Sequence, residues 1–155
     1  MTAIRVCFVD TLVLRGAGEI LEVLVLRRAP GGRNPGSWET VHGTIEAGET
    51  PIQASLRELQ EETGLAPERF YNLSRIEGFY QHATDELAII PAFAAFVSAD
   101  AVPHLSAEHD AFDWLPPPAA AQRFAWPRER RALDDVLSIV GSGGGGLLDD
   151  VLRVS

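Results

Sequence analysis

Hydrophobic residues along the chain form several runs of strand-like length, separated by glycine- and proline-rich turns. Strands are predicted at 4–14, 20–26, 38–42, 70–76, 87–97 and 108–115. The run at 20–26 is nearly continuous apolar sequence, which is typical of a strand buried on both faces. Pro91 lies inside the run at 87–97 and indicates an edge strand or a bulge, because proline lacks the N–H that a central strand donates.

A helix is predicted from about Thr50 to the residue before Gly64. Thr50 is a good N-cap, Pro51 suits the first helical position, and Gln53 completes a capping box. Gly64 suits the left-handed backbone that follows a helix. Apolar residues at helical spacing are expected to form the buried stripe, namely Ile52, Leu56 and Leu59.

A second helix is predicted to begin at Pro127, with a buried stripe of Leu133, Val136, Leu137 and Val140. Residues 1–140 are expected to form a single domain. Residues 141–155 then form a glycine-rich linker and a short tail, which either docks as a short element or remains mobile. The alternation of strands and helices predicts an α/β fold in which a mixed β-sheet lies between helices, an α/β/α sandwich.

Composition narrows the classes of function. The chain has 155 residues, a net charge of −9 and a single cysteine, Cys7, so an internal disulfide is impossible. The negative charge argues against binding of nucleic acid polymers or anionic membranes. With no leader and no apolar stretch of membrane-spanning length, we expect a cytoplasmic protein. A phosphate substrate stays possible, because metal ions and local arginines can neutralise it.

Three carboxylates fall on one face of the predicted helix at 50–63. Glu58, Glu61 and Glu62 stand at i, i+3 and i+4, so their charges repel one another. Two of them also lie in the last turn, where the helix dipole disfavours anions. A bound cation would relieve this cost, and hard oxygen ligands suit Mg²⁺ or Mn²⁺ shared with substrate phosphates. The alternative is a solvated acidic face with Arg57 as its counter-charge.

The residues around these glutamates favour the metal site. Gly43, Glu49, Arg57 and Gly64 stand in register with the three glutamates within GTIEAGETPIQASLRELQEETGL, residues 43–65. This segment matches the Nudix box at every position, so the chain resembles the Nudix hydrolase family. The resemblance implies the Nudix fold and metal-assisted attack of water on the P–O–P bridge of a nucleoside diphosphate linked to another group.

The resemblance also implies roles for residues of the box. Arg57 would orient the acidic groups, and Glu58 and Glu62 would be the leading metal ligands. Glu61 is a further ligand or the catalytic base, and Glu49 is another ligand. Two candidates lie outside these five positions: Glu108 as a base or ligand, and His42, whose backbone carbonyl could reach the metal.

The residues that lead into the Nudix box narrow the range of expected substrates. Many Nudix proteins have Pro-Gly-Gly there, whereas this chain has Val41-His42-Gly43 preceded by Trp38. Together with SAEHDAFDWLPPPAAAQ at 106–122, this resembles the dihydroneopterin triphosphate pyrophosphatase branch. A pterin or nucleoside triphosphate is therefore the expected substrate. The alternatives are a dinucleoside polyphosphate, a nucleotide sugar, or a sensor module that binds a nucleotide without cleaving it.

Three residues are candidates for contact with a small-molecule phosphoanhydride substrate. Arg28 follows a buried strand and either solvates its end or binds phosphate. Tyr80 lies in a predicted loop at 78–86, where its ring either stacks on a base or pterin or simply packs. Trp38 is the third candidate. The protein is expected to be a monomer or a homodimer.

Overall fold

The computed structural model describes residues 1–155 as one mixed sheet of eight strands between two helical layers. The strands are β1 (Ala3–Val6), β2 (Phe8–Arg15), β3 (Glu22–Arg28), β4 (Trp38–Glu39), β5 (Val41–Thr44), β6 (Arg69–Gln81), β7 (Glu86–Phe96) and β8 (His109–Leu115). The helices are α1 (Pro51–Thr63), α2 (Pro117–Arg123), α3 (Pro127–Ile139) and α4 (Asp149–Leu152). None of them is both long and apolar enough to span a bilayer.

The sheet buries a hydrophobic cluster on each face. Along β2, Leu12 and Leu14 belong to the cluster covered by α2, α3 and α4, whereas Val9 and Val13 belong to the cluster covered by α1. This alternation follows from the two-residue period of a strand. The predicted α/β/α sandwich is therefore confirmed.

Strand β7 lies inside the sheet, between β6 on one side and β1 and β2 on the other. The single strand predicted at 4–14 is two strands, because the register passes from Val6↔Ile89 to Asp10↔Ala92 with one extra residue on the β1–β2 side. Pro91 lies opposite this bulge. The edge-strand interpretation of Pro91 is wrong and the bulge interpretation is confirmed, with the extra residue on the partner strand.

Helix α1 has the predicted ends. The Thr50 side chain accepts from the Gln53 N–H, the Gln53 side chain accepts from the Thr50 N–H, and Gly64 has φ 69°. The buried face agrees with the prediction only in part. Leu59 is buried and the partly buried Leu56 packs against the same core cluster, but Ile52 is 36% exposed. Ala54, Ser55, Glu62 and Thr63 are buried in addition.

A contact with the sheet accounts for the face that α1 buries. Ser55 forms a buried hydrogen bond with Thr11 of β2, and Ala54 beside it is small enough to lie against the sheet. This contact turns the face that contains Glu62 inward. In α3, Leu133, Val136 and Val140 are buried as predicted, but Leu137 is 46% exposed and Glu129 is buried instead.

Two further segments differ from the prediction. Strand β6 continues to Gln81, so Tyr80 lies in a strand and not in a loop. The proline- and alanine-rich segment after β8 forms α2, for which no helix was predicted. Its apolar residues are mostly alanines, which give no periodic signal, although two prolines at its start suit the first turn of a helix.

The last residues dock against the sheet. The Phe70 N–H donates to the Ser155 carbonyl at 2.9 Å, and the Tyr71 hydroxyl donates to Asp149 at 2.6 Å. Leu152 is 7% exposed and belongs to the cluster under α3. Of the two behaviours considered for the tail, the structure shows docking.

Candidate functional site

Arg57 is the centre of the acidic cluster on α1. Its Nε and Nη2 donate to the two oxygens of Glu49 at 2.7 and 2.9 Å, and Nη1 donates to Glu58 at 2.8 Å and to Glu61 at 3.2 Å. Nη2 also donates to the Thr44 carbonyl at 2.8 Å, which ties α1 to the end of β5. The hydrogen bonds from Arg57 lower the pKa of Glu49 to about 2.

Glu58 lies against the backbone of β5. A Cβ atom added to Gly43 would come within 2.0 Å of Glu58 Cδ, so only glycine allows this approach. The Glu58 side chain is 12% exposed. Burial raises the pKa of Glu58, although the hydrogen bond from Arg57 opposes the shift.

Glu62 is the most isolated carboxylate of the cluster. It is 2% exposed, and neither of its carboxylate oxygens has a hydrogen-bond partner. Burial raises the pKa of Glu62 well above its usual range, and the charges of Glu108, Glu58 and Glu39 add to the shift. Glu108 itself is exposed, but its charge reaches both Glu58 and Glu62. A buried carboxylate without a donor needs a compensating partner such as a cation.

The carboxylates of the cluster are suitable ligands for a divalent ion, but their side chains do not converge on one metal position. Glu58 and Glu62 offer hard oxygen ligands, and the Glu62 oxygens are buried with their lone pairs unused. No three histidine or acidic side chains converge on one metal position. Instead, Glu58 and Glu61 accept hydrogen bonds from Arg57. Ion binding would require these side chains to turn toward Glu62.

A buried network that the sequence did not predict adjoins Glu62. Arg28 of β3 donates to Glu39 of β4 at 3.0 Å, and His109 Nε2 lies 2.9 Å from the same Glu39 oxygen. Burial would raise the pKa of Glu39, but the hydrogen bonds from His109 and Arg28 lower it. Arg28 was a predicted substrate residue, and its Nε also donates to the Arg33 carbonyl at 2.6 Å. No local pattern marks Glu39 and His109, because they are 70 residues apart.

A second polar cluster lies on the opposite face of the sheet. His42 Nδ1 is 2.7 Å from Asp10, and Arg128 Nε donates to Asp10 at 2.6 Å. Burial would raise the pKa of Asp10, but the contacts with His42 and Arg128 outweigh it and lower this pKa. Since Val41 faces α1, the His42 ring points away from the α1 carboxylates. Only its backbone could serve the predicted metal role.

An aromatic row borders this second cluster. The Phe8 ring lies 5.3 Å from the His42 ring and stacks on Phe79 at 6.1 Å. Tyr80 points to the other face of β6, and its hydroxyl donates to Asp85 at 3.0 Å. Phe79, and not Tyr80, is therefore the aromatic residue of β6 that adjoins the His42 cluster.

Trp38 is held by packing. Its ring lies 4.6 Å from the Arg123 guanidinium and 5.9 Å from that of Arg27, and it packs against the core under α2. The structure thus brings together Arg57, Glu49, Glu58, Glu61, Glu62 and Glu108, with Arg28 next to them through Glu39. Trp38, Tyr80 and the His42 ring make their contacts outside this cluster.

The chain matches the family model of the NUDIX domain over residues 8–136. It is 38% identical over 122 residues to an octanoyltransferase of Myxococcus xanthus, an alignment that covers 74% of this chain and 32% of that protein. The chain spans less than half of the first two curated relatives that it matches.

Two solved structures are similar in fold. The dihydroneopterin triphosphate pyrophosphohydrolase of E. coli is 26% identical, with a TM-score of 0.64, over 81% of this chain and 92% of that one. An Ap4A hydrolase of C. elegans is 20% identical, with a TM-score of 0.70, over 84% of this chain and 94% of that one. At this lower identity the second likeness concerns the fold alone.

Proposed function

Because this chain belongs to the NUDIX domain family, we propose that it is a metal-dependent pyrophosphohydrolase that cleaves the P–O–P bond of a nucleoside or pterin triphosphate. The observation that carries this proposal is Glu62, a buried carboxylate without a hydrogen-bond partner next to Glu58 in a complete Nudix box. Enzymes of this family generally use divalent metal ions. A carboxylate kept in this environment is costly to the fold and is useful as a ligand.

Each residue of the cluster has a proposed role. Glu58 and Glu62 hold the divalent ion, with Glu61, Glu49 and the His42 carbonyl as further candidate ligands. A bound Mg²⁺ or Mn²⁺ would neutralise phosphate charge and lower the pKa of a coordinated water. Arg57 holds Glu49 and Glu58 in place through the bonds described above. Glu61 and Glu108 are the candidates for accepting the proton of the attacking water, since both are solvent-accessible carboxylates at the cluster.

A pterin triphosphate is placed first among the substrates to test because of the 26% identity to the E. coli dihydroneopterin triphosphate enzyme. The aromatic row of Phe8, His42 and Phe79 does not add to this choice, because it lies on the face of the sheet opposite the α1 carboxylates. Asp10 beside this row is buried and already paired with Arg128.

The proposal is tested by a product screen with Mg²⁺. The panel holds dihydroneopterin triphosphate, common and oxidised nucleoside triphosphates, dinucleoside polyphosphates, ADP-ribose and nucleotide sugars, and phosphate and pyrophosphate are followed separately. Pyrophosphate release from one triphosphate at a clearly higher kcat/KM supports the proposal. A preference for dinucleoside polyphosphates or nucleotide sugars keeps the reaction but replaces the substrate class. No product from folded protein that binds Mg²⁺ would contradict the proposal.

Glu62→Gln tests the proposed ligand directly. We expect activity to fall on the order of 100-fold or more, because a neutral amide is a poor ligand for Mg²⁺. Millimolar Mg²⁺ should raise the Tm of the native protein but not of the variant, since the ion binds the folded carboxylate cluster. The exposed Glu68→Gln is the matched control and should keep both properties. Equal turnover in Glu58→Gln, Glu62→Gln and the control would reject the site.

A further inference from the structure

His109 occupies an unusual position between two carboxylates. Its side chain is fully buried, Nε2 lies 2.9 Å from Glu39 Oε1, and Nδ1 lies 4.0 Å from Glu62 Oε2. Nδ1 has no hydrogen-bond partner, and neither has either oxygen of Glu62. His109 Nδ1 is the only basic atom within 4.0 Å of the Glu62 carboxylate.

The other contacts fix the ring of His109. Arg28 donates to the same Glu39 oxygen, so that carboxylate is ionised and can only accept; His109 Nε2 therefore carries a proton and donates. Strands β3 and β8 pair Arg28 with His109 at a bulge between Arg27 and Arg28. A bulge of this kind redirects side chains, and here it brings the two partners of Glu39 together.

We propose that His109 is a positioning residue that fixes the Glu62 carboxylate for metal binding, with Arg28 and Glu39 fixing the imidazole. As regards hydrolysis, this inference rests on the proposed function; as regards metal binding, it can be tested alone. No donor bonds the Glu62 carboxylate, so the imidazole ring beside it, with Nδ1 4.0 Å from Oε2, is the polar group that limits the rotation of this carboxylate. Groups that orient metal ligands in this way typically contribute 10- to 100-fold to metal affinity.

Two substitutions test the roles of the two ring nitrogens of His109 separately. The amide nitrogen of glutamine can occupy the place of Nε2, whereas that of asparagine can occupy the place of Nδ1. His109→Gln should keep the contact with Glu39 and lose the group that faces Glu62. His109→Asn should lose the contact with Glu39 and keep a polar nitrogen near Glu62. His82→Gln, in an exposed turn, is the matched control.

The readout is Mn²⁺ affinity of the folded, substrate-free protein, measured by electron paramagnetic resonance, with Tm recorded for every variant. We expect the Kd for Mn²⁺ to rise about 10-fold in His109→Gln and by no more than about 3-fold in His109→Asn. A residue needed only for packing would instead give losses that follow the fall in Tm. Native affinity in His109→Gln, or equal weakening in both variants in proportion to Tm, would overturn the inference.

The same experiment separates this inference from the proposed function. Native protein that binds Mn²⁺ but hydrolyses no member of the panel would reject the function, while the comparison of Kd values would still decide the role of His109. Hydrolysis by native protein together with native affinity in His109→Gln would reject the role of His109 alone. Absence of Mn²⁺ binding by native protein at millimolar concentration would overturn both.

Discussion

Glu129 is a buried carboxyl group that the chemistry of the α1 cluster does not use. It is 0% exposed; one oxygen accepts from the Thr40 N–H, and the other has no partner. Burial raises the pKa of Glu129 well above its usual range, and the nearby charge of Asp10 adds to the shift. Its ionised form therefore strains the contact between α3 and the sheet.

Glu129→Gln should change how stability depends on pH. An unfolded glutamate titrates near pH 4.3. Between about that pH and the raised pKa, the folded state holds the proton more tightly, so the free energy of unfolding falls as pH rises. Removal of the carboxyl should flatten this slope and make the variant more stable than the native protein at pH 8. Urea denaturation at pH 5 and pH 8, with Mg²⁺ present to neutralise Glu62, would measure it. Parallel pH profiles would contradict the assignment.

Helix α1 carries the site, and its first turn is held by the capping box of Thr50 and Gln53. Glu49, which accepts a hydrogen bond from Arg57, immediately precedes that cap. A secure start to the helix therefore also fixes one end of the acidic cluster. The helix is short, so its position depends on packing as well as on its own hydrogen bonds.

Thr50→Ala should lower the free energy of unfolding by about 1 kcal/mol, because it removes the acceptor for the Gln53 N–H. Chemical denaturation of the metal-free protein would measure the change. Ser138→Ala, at an exposed position of α3, also removes a side-chain hydrogen bond within a helix, to the Asp134 carbonyl, but leaves the capping box of α1 unchanged. Ser138→Ala should change the free energy of unfolding very little. An equal loss of stability in the two variants would argue against a stabilising role of the Thr50 cap.

At the scale of elements, the sequence predicted what depends on local signals. The ends of α1 follow from Thr50, Pro51 and Gly64, whose effects act within a turn or two. The face that α1 buries did not follow, because its anchor is a bond from Ser55 to Thr11, 44 residues away. Helix α2 was missed because Ala120 and its neighbours are too small to give an amphipathic pattern.

At the scale of the whole molecule, the common face of Glu58, Glu61 and Glu62 could be predicted, because these three residues lie on one helix at fixed spacing. The residues around them could not. Glu39 and His109 come from β4 and β8, and only the pairing of both strands with β3 brings them to Glu62. Asp10 and Arg128 likewise meet across 118 residues. Long-range pairing of this kind leaves no periodic trace in a single sequence.

The docked tail also belongs to this scale. Leu152 contributes to the core under α3, and the Ser155 carbonyl accepts from Phe70 of β6. Leu152→Ala should lower the free energy of unfolding by about 2 kcal/mol, as expected for a buried leucine. Its neighbour Val151 is 79% exposed, so Val151→Ala should be nearly neutral in the same denaturation series. Equal values for the two would mean that the tail adds little to stability in solution.

The close approach of Gly43 to Glu58 constrains which sequences could arise from this one by successive mutation. Any side chain at position 43 collides with the Glu58 carboxyl group. Shortening of Glu58 to aspartate would relieve the collision, yet it would withdraw the proposed ligand. Because the flexible Glu58 side chain can also turn aside, a genetic selection for folding alone should recover Gly43→Ala. A selection for activity should recover no substitute for Gly43. The methyl group of an alanine at position 43 would therefore distinguish sequences that only fold from sequences that are also active.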